Sequence, residues 1–166
     1  MAEKDRFMLS DHGIQYFIED APSDDSTIMV GTHEIEAVTK VSIDMDTKEV
    51  TTHKATSNSV ETSVMLDLSK SRITFDCLNM GDEEDNNTFT HIKNWMGEQD
   101  SAEDKLLFEV MPLWDGTYAG RVYHITPKWY TEDSQEFSFT VGLYSKTESV
   151  IVTHDESNDT FTFEKK

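Results

Sequence analysis

Cysteine is nearly absent from this chain, and its scarcity excludes two kinds of structure. The 166 residues include one cysteine, Cys77, so no internal disulfide can form and a cysteine-rich metal site is excluded. Cys77 alternates with Ile73 and Phe75, which predicts a small buried apolar side chain rather than a reactive thiol. The six histidines are scattered, and their spacing predicts no metal site.

Long apolar runs are also missing. No stretch approaches the roughly 20 apolar residues that a membrane-spanning helix needs, so we expect no membrane association. The charged N-terminus, Met-Ala-Glu-Lys-Asp-Arg, lacks the apolar segment of a signal peptide, and we expect the protein to begin in the cytosol. The length predicts a single domain with a hydrophobic core of its own.

Basic residues are few. The chain has 14 lysines and arginines against 33 aspartates and glutamates, a formal net charge of −19. Such a polyanion repels phosphate, which argues against ordinary DNA or RNA binding. The charge fits a highly soluble or salt-adapted protein, and it equally fits a surface that must lie near DNA or membrane without adhering.

Signatures of a chemical site are missing as well. The sequence has no glycine-rich loop that could hold a phosphate. Asp44 and Asp46 resemble the opening of a calcium loop, but the glycine and the distal glutamate of such a loop are lacking. Asp155, Asn158 and Asp159 could bind calcium weakly, although a solvated turn is the favoured interpretation. We predict no catalytic residue, cofactor or metal ion.

Several aromatic residues could line a sugar site. They are Trp95, Trp114, Trp129 and Tyr130. Aromatic side chains in β-proteins more often belong to a core or an interface. A carbohydrate-binding or hydrolytic activity would rest only on these residues and on the abundance of carboxylates.

The clearest organised stretch is residues 104–144, which holds three strand-like runs. Asp115-Gly116 separates the first two, and Asp-Gly between apolar runs predicts a hairpin because both residues tolerate a positive φ. The third run alternates apolar with small polar side chains, namely Phe137, Phe139, Val141 and Leu143 with Glu136, Ser138 and Thr140. This period of two predicts an antiparallel meander with one buried face.

An amphipathic pattern over residues 33–45 predicts one long strand, with Val38 as the exception. A turn at 46–48 and a threonine-rich run at 49–56 follow. Because large apolar side chains are few there, we predict a hairpin over about 38–54 that projects beyond the domain. Its predicted contact residues are Val41, Ile43, Met45, Lys48, Val50 and Thr52.

The remaining patterns predict strands at 60–68 and 72–78 and one helix at 86–96. The helix residues expected to face the sheet are Phe89, Ile92 and Trp95. A C-terminal hairpin is predicted over about 148–164, and residues 1–13 form an N-terminal arm. Together these elements predict a mainly antiparallel all-β fold, a β-sandwich or partial β-barrel with one short outer α-helix.

The order of elements resembles the core of the tail tube proteins of long-tailed bacteriophages. A strand at 72–78 and an outer helix at 86–96 precede strands at 105–111, 116–125 and 136–143. The run Gly116-Thr-Tyr-Ala-Gly-Arg-Val is similar to that family's aromatic-x-Gly-x-Val strand, and Glu136-Phe-Ser-Phe-Thr-Val is similar to its next strand. The resemblance covers roughly residues 30–145, and the long patterned run after residue 60 departs from it.

The resemblance implies a structural role without enzymatic activity. Subunits of that family form hexameric rings that stack into a tube, other tail proteins bind the tube ends, and DNA passes through the lumen without specific binding. The protein would be assembled in the host cytoplasm and reside in the virion tail, with the projecting hairpin and the arm joining rings. Glu136, Ser138 and Thr140 would face the lumen, and the alternative for Glu136 is a solvated charge at the end of its strand. The alternative is an acidic DNA mimic that inhibits a nucleic-acid enzyme.

Overall fold

A computed structural model describes residues 13–22, 28–45, 47–53, 60–67, 70–79, 87–98, 103–145 and 147–166. These residues form eleven strands and one α-helix. In chain order the elements are β1 (Gln15–Asp20), β2 (Ile28–Val30), β3 (Val38–Asp44), β4 (Thr47–His53), β5 (Val60–Leu66), β6 (Arg72–Leu78), α1 (Asn87–Gly97), β7 (Lys105–Pro112), β8 (Tyr118–Glu132), β9 (Glu136–Leu143), β10 (Glu148–Asp155) and β11 (Thr160–Lys165).

Strand β8 organises the fold because two groups of strands share it. Its first half pairs with β7 on one side and β10 on the other, and its second half pairs with β9. Layer one therefore runs β1-β7-β8-β10-β11-β2, and layer two runs β8-β9-β6-β3. Every pairing is antiparallel, so the predicted all-β fold with one short helix is confirmed.

The core consists of two apolar clusters that meet at β7. Leu107 belongs to the larger cluster with α1 and layer two, whereas Leu106, Phe108 and Val110 belong to the smaller one with β10 and β11. Alternate side chains of one strand thus enter different clusters, which explains why β7 is buried on both faces. Each fully buried Leu, Val or Phe contributes roughly 1.5–3 kcal/mol.

The predicted meander is confirmed, and its first turn shows where positive φ is needed. The Gly116 amide donates to the Leu113 carbonyl at 3.1 Å, and the Leu113 amide donates to the Thr117 carbonyl at 2.8 Å. Gly116 has φ +88°, whereas Asp115 is not among the residues with positive φ. Asp115 instead accepts hydrogen bonds from the Thr117 amide and hydroxyl, so only the glycine adopts the left-handed conformation.

Helix α1 lies where its apolar spacing predicts. Phe89 and Ile92 are fully buried and Trp95 is 3% exposed, so the predicted face of the helix does meet the core. The Phe89 ring stacks on Phe137 of β9 with centroids 4.6 Å apart. The helix is therefore anchored to layer two by aromatic contact.

The prediction of one long strand over residues 33–45 is wrong. Ala37 has φ +55°, and the register shifts between Val38 and Lys40. Before this break the Ile35 amide donates to the Tyr16 carbonyl of β1. After it the chain pairs with β6 as β3. The shift turns Val38 to the core, where it is 8% exposed, and accounts for its exceptional place in the alternation.

The predicted hairpin over 38–54 is also wrong, because β3 and β4 do not pair with each other. Strand β3 joins β6, whose apolar side chains offer it a core-facing partner, while β4 pairs with β5 in a separate two-stranded sheet. The predicted contact residues are therefore divided between two structures. Val41 and Ile43 lie in β3, Met45 follows it at the edge of the core, and Lys48, Val50 and Thr52 lie in β4.

The predicted C-terminal hairpin is present as β10 and β11. Val150 pairs with Lys165 at one end of the hairpin, and Asp155 pairs with Thr160 at the other. The predicted N-terminal arm falls almost wholly outside the described residues, since only Gly13 of it is described. The predicted strand at 60–68 is present as β5 (Val60–Leu66), whereas the side chains of β4 and β5 lie outside the described residues.

Candidate assembly surface

The predicted lumen residues share one face of β9. Phe137 and Phe139 fill the core, so Glu136, Ser138 and Thr140 point to the opposite side, as the alternation predicts. Their accessibility differs from the prediction. Glu136 is exposed and Ser138 is half-buried, but Thr140 is only 4% exposed. A solvent-facing role for Thr140 is therefore ruled out in this chain by itself.

Hydrogen bonds within the sheet explain this burial. The hydroxyls of Thr140 and Thr74 lie 3.0 Å apart, and the Ser138 hydroxyl donates to an Asp76 carboxylate oxygen at 2.6 Å. On its other side Thr140 pairs with Trp129 of β8. Side chains of β6 and β9 thus satisfy one another, and Trp129 of β8 lies beside them on the same polar face.

This polar face is not uniformly acidic. Register places Lys40 opposite Asp76 and Asp44 opposite Arg72, and Lys128 reaches across the sheet above Gly142. The charged residues of the face are Lys40, Asp44, Arg72, Asp76, Lys128 and Glu136. Three positive and three negative charges cancel among the described residues, so the net charge of −19 is not concentrated on this face.

Strand β3 ends layer two with an unfilled edge. Among the described residues it pairs with β6 alone. Ile43 lies opposite fully buried Ile73 on the core side, yet it is 43% exposed because no described strand continues the sheet beyond it. The last strand of layer one, β2, shows the same feature, since Ile28 and Val30 are about half exposed. Open edges with apolar side chains invite pairing with another chain.

A second surface lies over β8 and β10 of layer one. Here a cleft of about 440 Å³ is lined by apolar Met111, Leu113 and Ile151 and by basic Arg121 and Lys166. Register aligns Met111, Ala119 and Ile151 in one row across three strands. The cleft therefore has an apolar floor and a cationic side.

The aromatic residues considered for a sugar site do not form one. Trp95 is a buried residue of α1 and donates from its indole nitrogen to the Glu103 carbonyl. Trp114 is 99% exposed in the turn before β8, whereas Trp129 and Tyr130 lie near the opposite end of that strand. One small ligand could not contact all of them, so the carbohydrate interpretation loses its structural basis.

The carboxylates considered for calcium form an ordinary turn. Asp155 accepts hydrogen bonds from the Ser157 amide and from the Asn158 side chain, and Asp159 lies 3.0 Å from the His154 ring. Asp46 of the other calcium candidate lies outside the described residues. Within the part of the chain that is described, no three His, Cys, Asp or Glu side chains are arranged to hold a metal ion.

Comparison with known proteins adds no relative. The sequence matches no known protein family, and no curated protein is significantly similar to it. None of the described helices is long and apolar enough to cross a membrane. A functional hypothesis must therefore rest on the order of the elements and on the surfaces of the fold.

One polar cluster was missed by the sequence reasoning. The Glu19 carboxylate is buried, accepts hydrogen bonds from the amides of Thr32 and His33 at 2.6 Å each, and also contacts the His33 ring at 3.1 Å. That ring stacks on His91 of α1 with centroids 4.3 Å apart. The three elements are far apart in sequence, so no local pattern could have revealed the contact.

Lys105 extends this cluster from β7. It is 7% exposed, forms an ion pair with Asp20 and lies 5.5 Å above the Trp95 ring. The hydrogen bond from Lys105 lowers the pKa of the Asp20 carboxyl, and burial lowers the pKa of His91. A buried ammonium with one carboxylate and an aromatic face is satisfied in place, so the cluster ties β1, α1 and β7 together.

Proposed function

We propose that this chain is a self-associating structural subunit, namely a tail tube protein of a long-tailed bacteriophage. The observation that carries the proposal is the open edge of β3 beside the polar face of layer two. A sheet that ends in an exposed edge can be continued by the next subunit, and a closed ring of subunits removes every edge. The exposed Ile43 side chain supports this, since a neighbouring strand would bury it.

In such a ring the polar face of layer two would form the inner wall. Several of its side chains are hydrogen-bonded to one another, and its described charges cancel in number, so the wall would carry no net positive charge to retain phosphate, even though Arg72 and Lys128 both lie over Gly142. DNA could then pass without specific binding. Hexameric rings, stacking into a tube, contacts with other tail proteins and residence in the virion tail follow from the resemblance and belong to the proposal.

Electron microscopy of the purified protein tests the assembly directly. We expect rings or stacked tubes in negative stain and a mass several times 19 kDa by light scattering. A protein that stays monomeric and inhibits a nuclease or polymerase would contradict the proposal and support the acidic DNA mimic.

A charge reversal tests the inner wall. Replacing Glu136 with lysine should leave tubes intact because the side chain is exposed, and should reduce DNA delivery because a ring repeats the new cation in every subunit. Glu156→Lys, in the turn of the C-terminal hairpin, is the matched control. Equal DNA delivery by the two variants would show that Glu136 does not face the lumen.

A further inference from the structure

Burial on the core-facing side of layer one decreases row by row along the sheet. Residues paired directly across the strands lie on one face, so each row can be followed by register. Ile18, Leu107 and Tyr123 form a row that belongs to the larger apolar cluster and is at most 2% exposed. The next row along is polar, and in it the Tyr16 hydroxyl donates to the buried Glu109 carboxylate at 3.2 Å.

The row after that is apolar again but uncovered. Register aligns Met111 of β7 with Ala119 of β8 and Ile151 of β10, and continuing the β1–β7 register by one residue places Ile14 beside Met111. Ile14 and Met111 are half-buried, Ala119 is exposed and Ile151 is 46% exposed. The last three rows of β8 and β10 side chains at this end line the cleft of about 440 Å³. An apolar row four strands wide on the core side of a sheet is typical of a surface that another segment covers.

Charge does not select the occupant of this cleft. The Arg121 guanidinium lies 3.6 Å from the Glu109 carboxylate, and the main-chain carboxylate of Lys166 offsets its ammonium group. The residues that line the cleft therefore carry no net formal charge. Its occupant must be recognised by apolar contact, and proximity decides which segment is available for that contact.

The N-terminal arm joins the sheet at the end of this row. Ile14 directly precedes β1, and Gly13 has φ +74°, which allows a sharp turn of the chain. Residues 1–12 contain one run of three large apolar side chains, Phe7-Met8-Leu9. The seven residues from Phe7 to Ile14 span up to about 23 Å when extended, whereas β10 lies three strands from β1, about 14 Å away. The apolar run can therefore reach every side chain of the uncovered row.

We propose that the cleft binds residues 7–9 of the same chain, whose apolar side chains cover Met111, Leu113 and Ile151. A short covalent link gives this segment an effective concentration of about millimolar at the cleft, which a separate molecule would have to exceed. The contact closes the open end of layer one within one subunit. It is independent of self-association, because both of its surfaces belong to one chain.

Disulfide cross-linking locates the arm, because buried Cys77 is the only native thiol. Ser10→Cys lies four residues before Ile14, and Ala119→Cys lies at an exposed position in the middle of the row. We expect the double variant to form a disulfide within one chain, identified by mass spectrometry of the linked peptides, with a yield that is unchanged on dilution. Linked dimers in place of the internal disulfide would assign the cleft to the arm of another subunit and overturn the proposal.

Charged substitutions distinguish binding from tethering alone. In the double cysteine variant, Phe7→Asp should lower the effective concentration of the two thiols, measured against a glutathione buffer, by about tenfold or more, since burial of one large apolar side chain contributes at least that factor. Ala2→Asp adds the same charge outside the apolar run and is the matched control. Equal effective concentrations for the two variants would show that the arm is only tethered near the cleft, which would also overturn the proposal.

Ile151→Glu tests the cleft from the other side. The substitution should lower the melting temperature more in the full chain than in a chain that lacks residues 2–9, because only the full chain has the apolar contact to lose. Equal shifts in the two backgrounds would contradict the contact. Circular dichroism establishes that each variant is folded.

These results can be separated from the test of the proposed function. An internal disulfide that Phe7→Asp weakens would establish the cleft contact even in a protein that stays monomeric. Rings or tubes formed by a protein that gives no internal disulfide would overturn the contact and leave the proposed function standing.

Discussion

Truncation of Phe89 to alanine measures how strongly α1 is held to the sheet. The Phe89 side chain is fully buried, and its ring stacks on Phe137 at 4.6 Å with an interplanar angle of 22°. The substitution removes the ring, the stacking contact and the packing around them. The helix is only 11 residues long and depends on tertiary contacts for its stability.

The expected loss in the free energy of unfolding is large for a single substitution. Phe-to-Ala changes in well-packed cores cost about 3–5 kcal/mol, and full burial places Phe89 within that range. For a chain of this length each kcal/mol shifts the melting temperature by about 2–4 °C. We therefore expect the melting temperature to fall by about 6–20 °C.

Urea unfolding followed by circular dichroism and tryptophan fluorescence gives the free energy directly. Native and variant proteins must be compared at one protomer concentration, because association adds to apparent stability. Asn94→Ala on the exposed side of the same helix is the control and should change the stability by less than about 0.5 kcal/mol. A loss below about 1 kcal/mol for Phe89→Ala would show that the helix does not pack on β9 as described.

Three further predictions concern other parts of the fold. Gly120→Ala should cost about 1–3 kcal/mol in urea unfolding, since its Cβ would lie 2.3 Å from a Val152 methyl, whereas Gly97→Ala in open space should be neutral or stabilising. Burial raises the pKa of the Cys77 thiol to about 12, so Ellman's reagent at about pH 8 should react only after unfolding, and rapid reaction of native protein would contradict its burial. The pKa of His91 is lowered in the folded protein, so the imidazole binds a proton more readily in the unfolded chain. The free energy of unfolding should therefore decrease as the pH falls below 6.5, the ordinary pKa of histidine. His91→Gln should flatten that pH dependence, and an unchanged slope would assign it to other groups.

Local periodicity determined which residues form elements and which side chains face the core. The alternation in β6 and β9 predicts the burial of Ile73, Phe75, Phe137 and Phe139, and helical spacing predicts that of Phe89. Both signals are local because they follow from the direction of successive side chains along one element. They succeeded wherever one face of an element meets a continuous core.

Tertiary structure decided which strands pair and how far the outward faces are covered. By sequence, the threonine-rich β4 could pair with either β3 or β5. In the structure β4 pairs with β5, and β3 pairs instead with β6, a strand about 30 residues further along the chain whose apolar side chains face the core. The burial of Thr140 and the contact of Glu19 with His33 also depend on distant strands and loops. Alternation states which way a side chain points, but only the assembled sheet determines what it meets there.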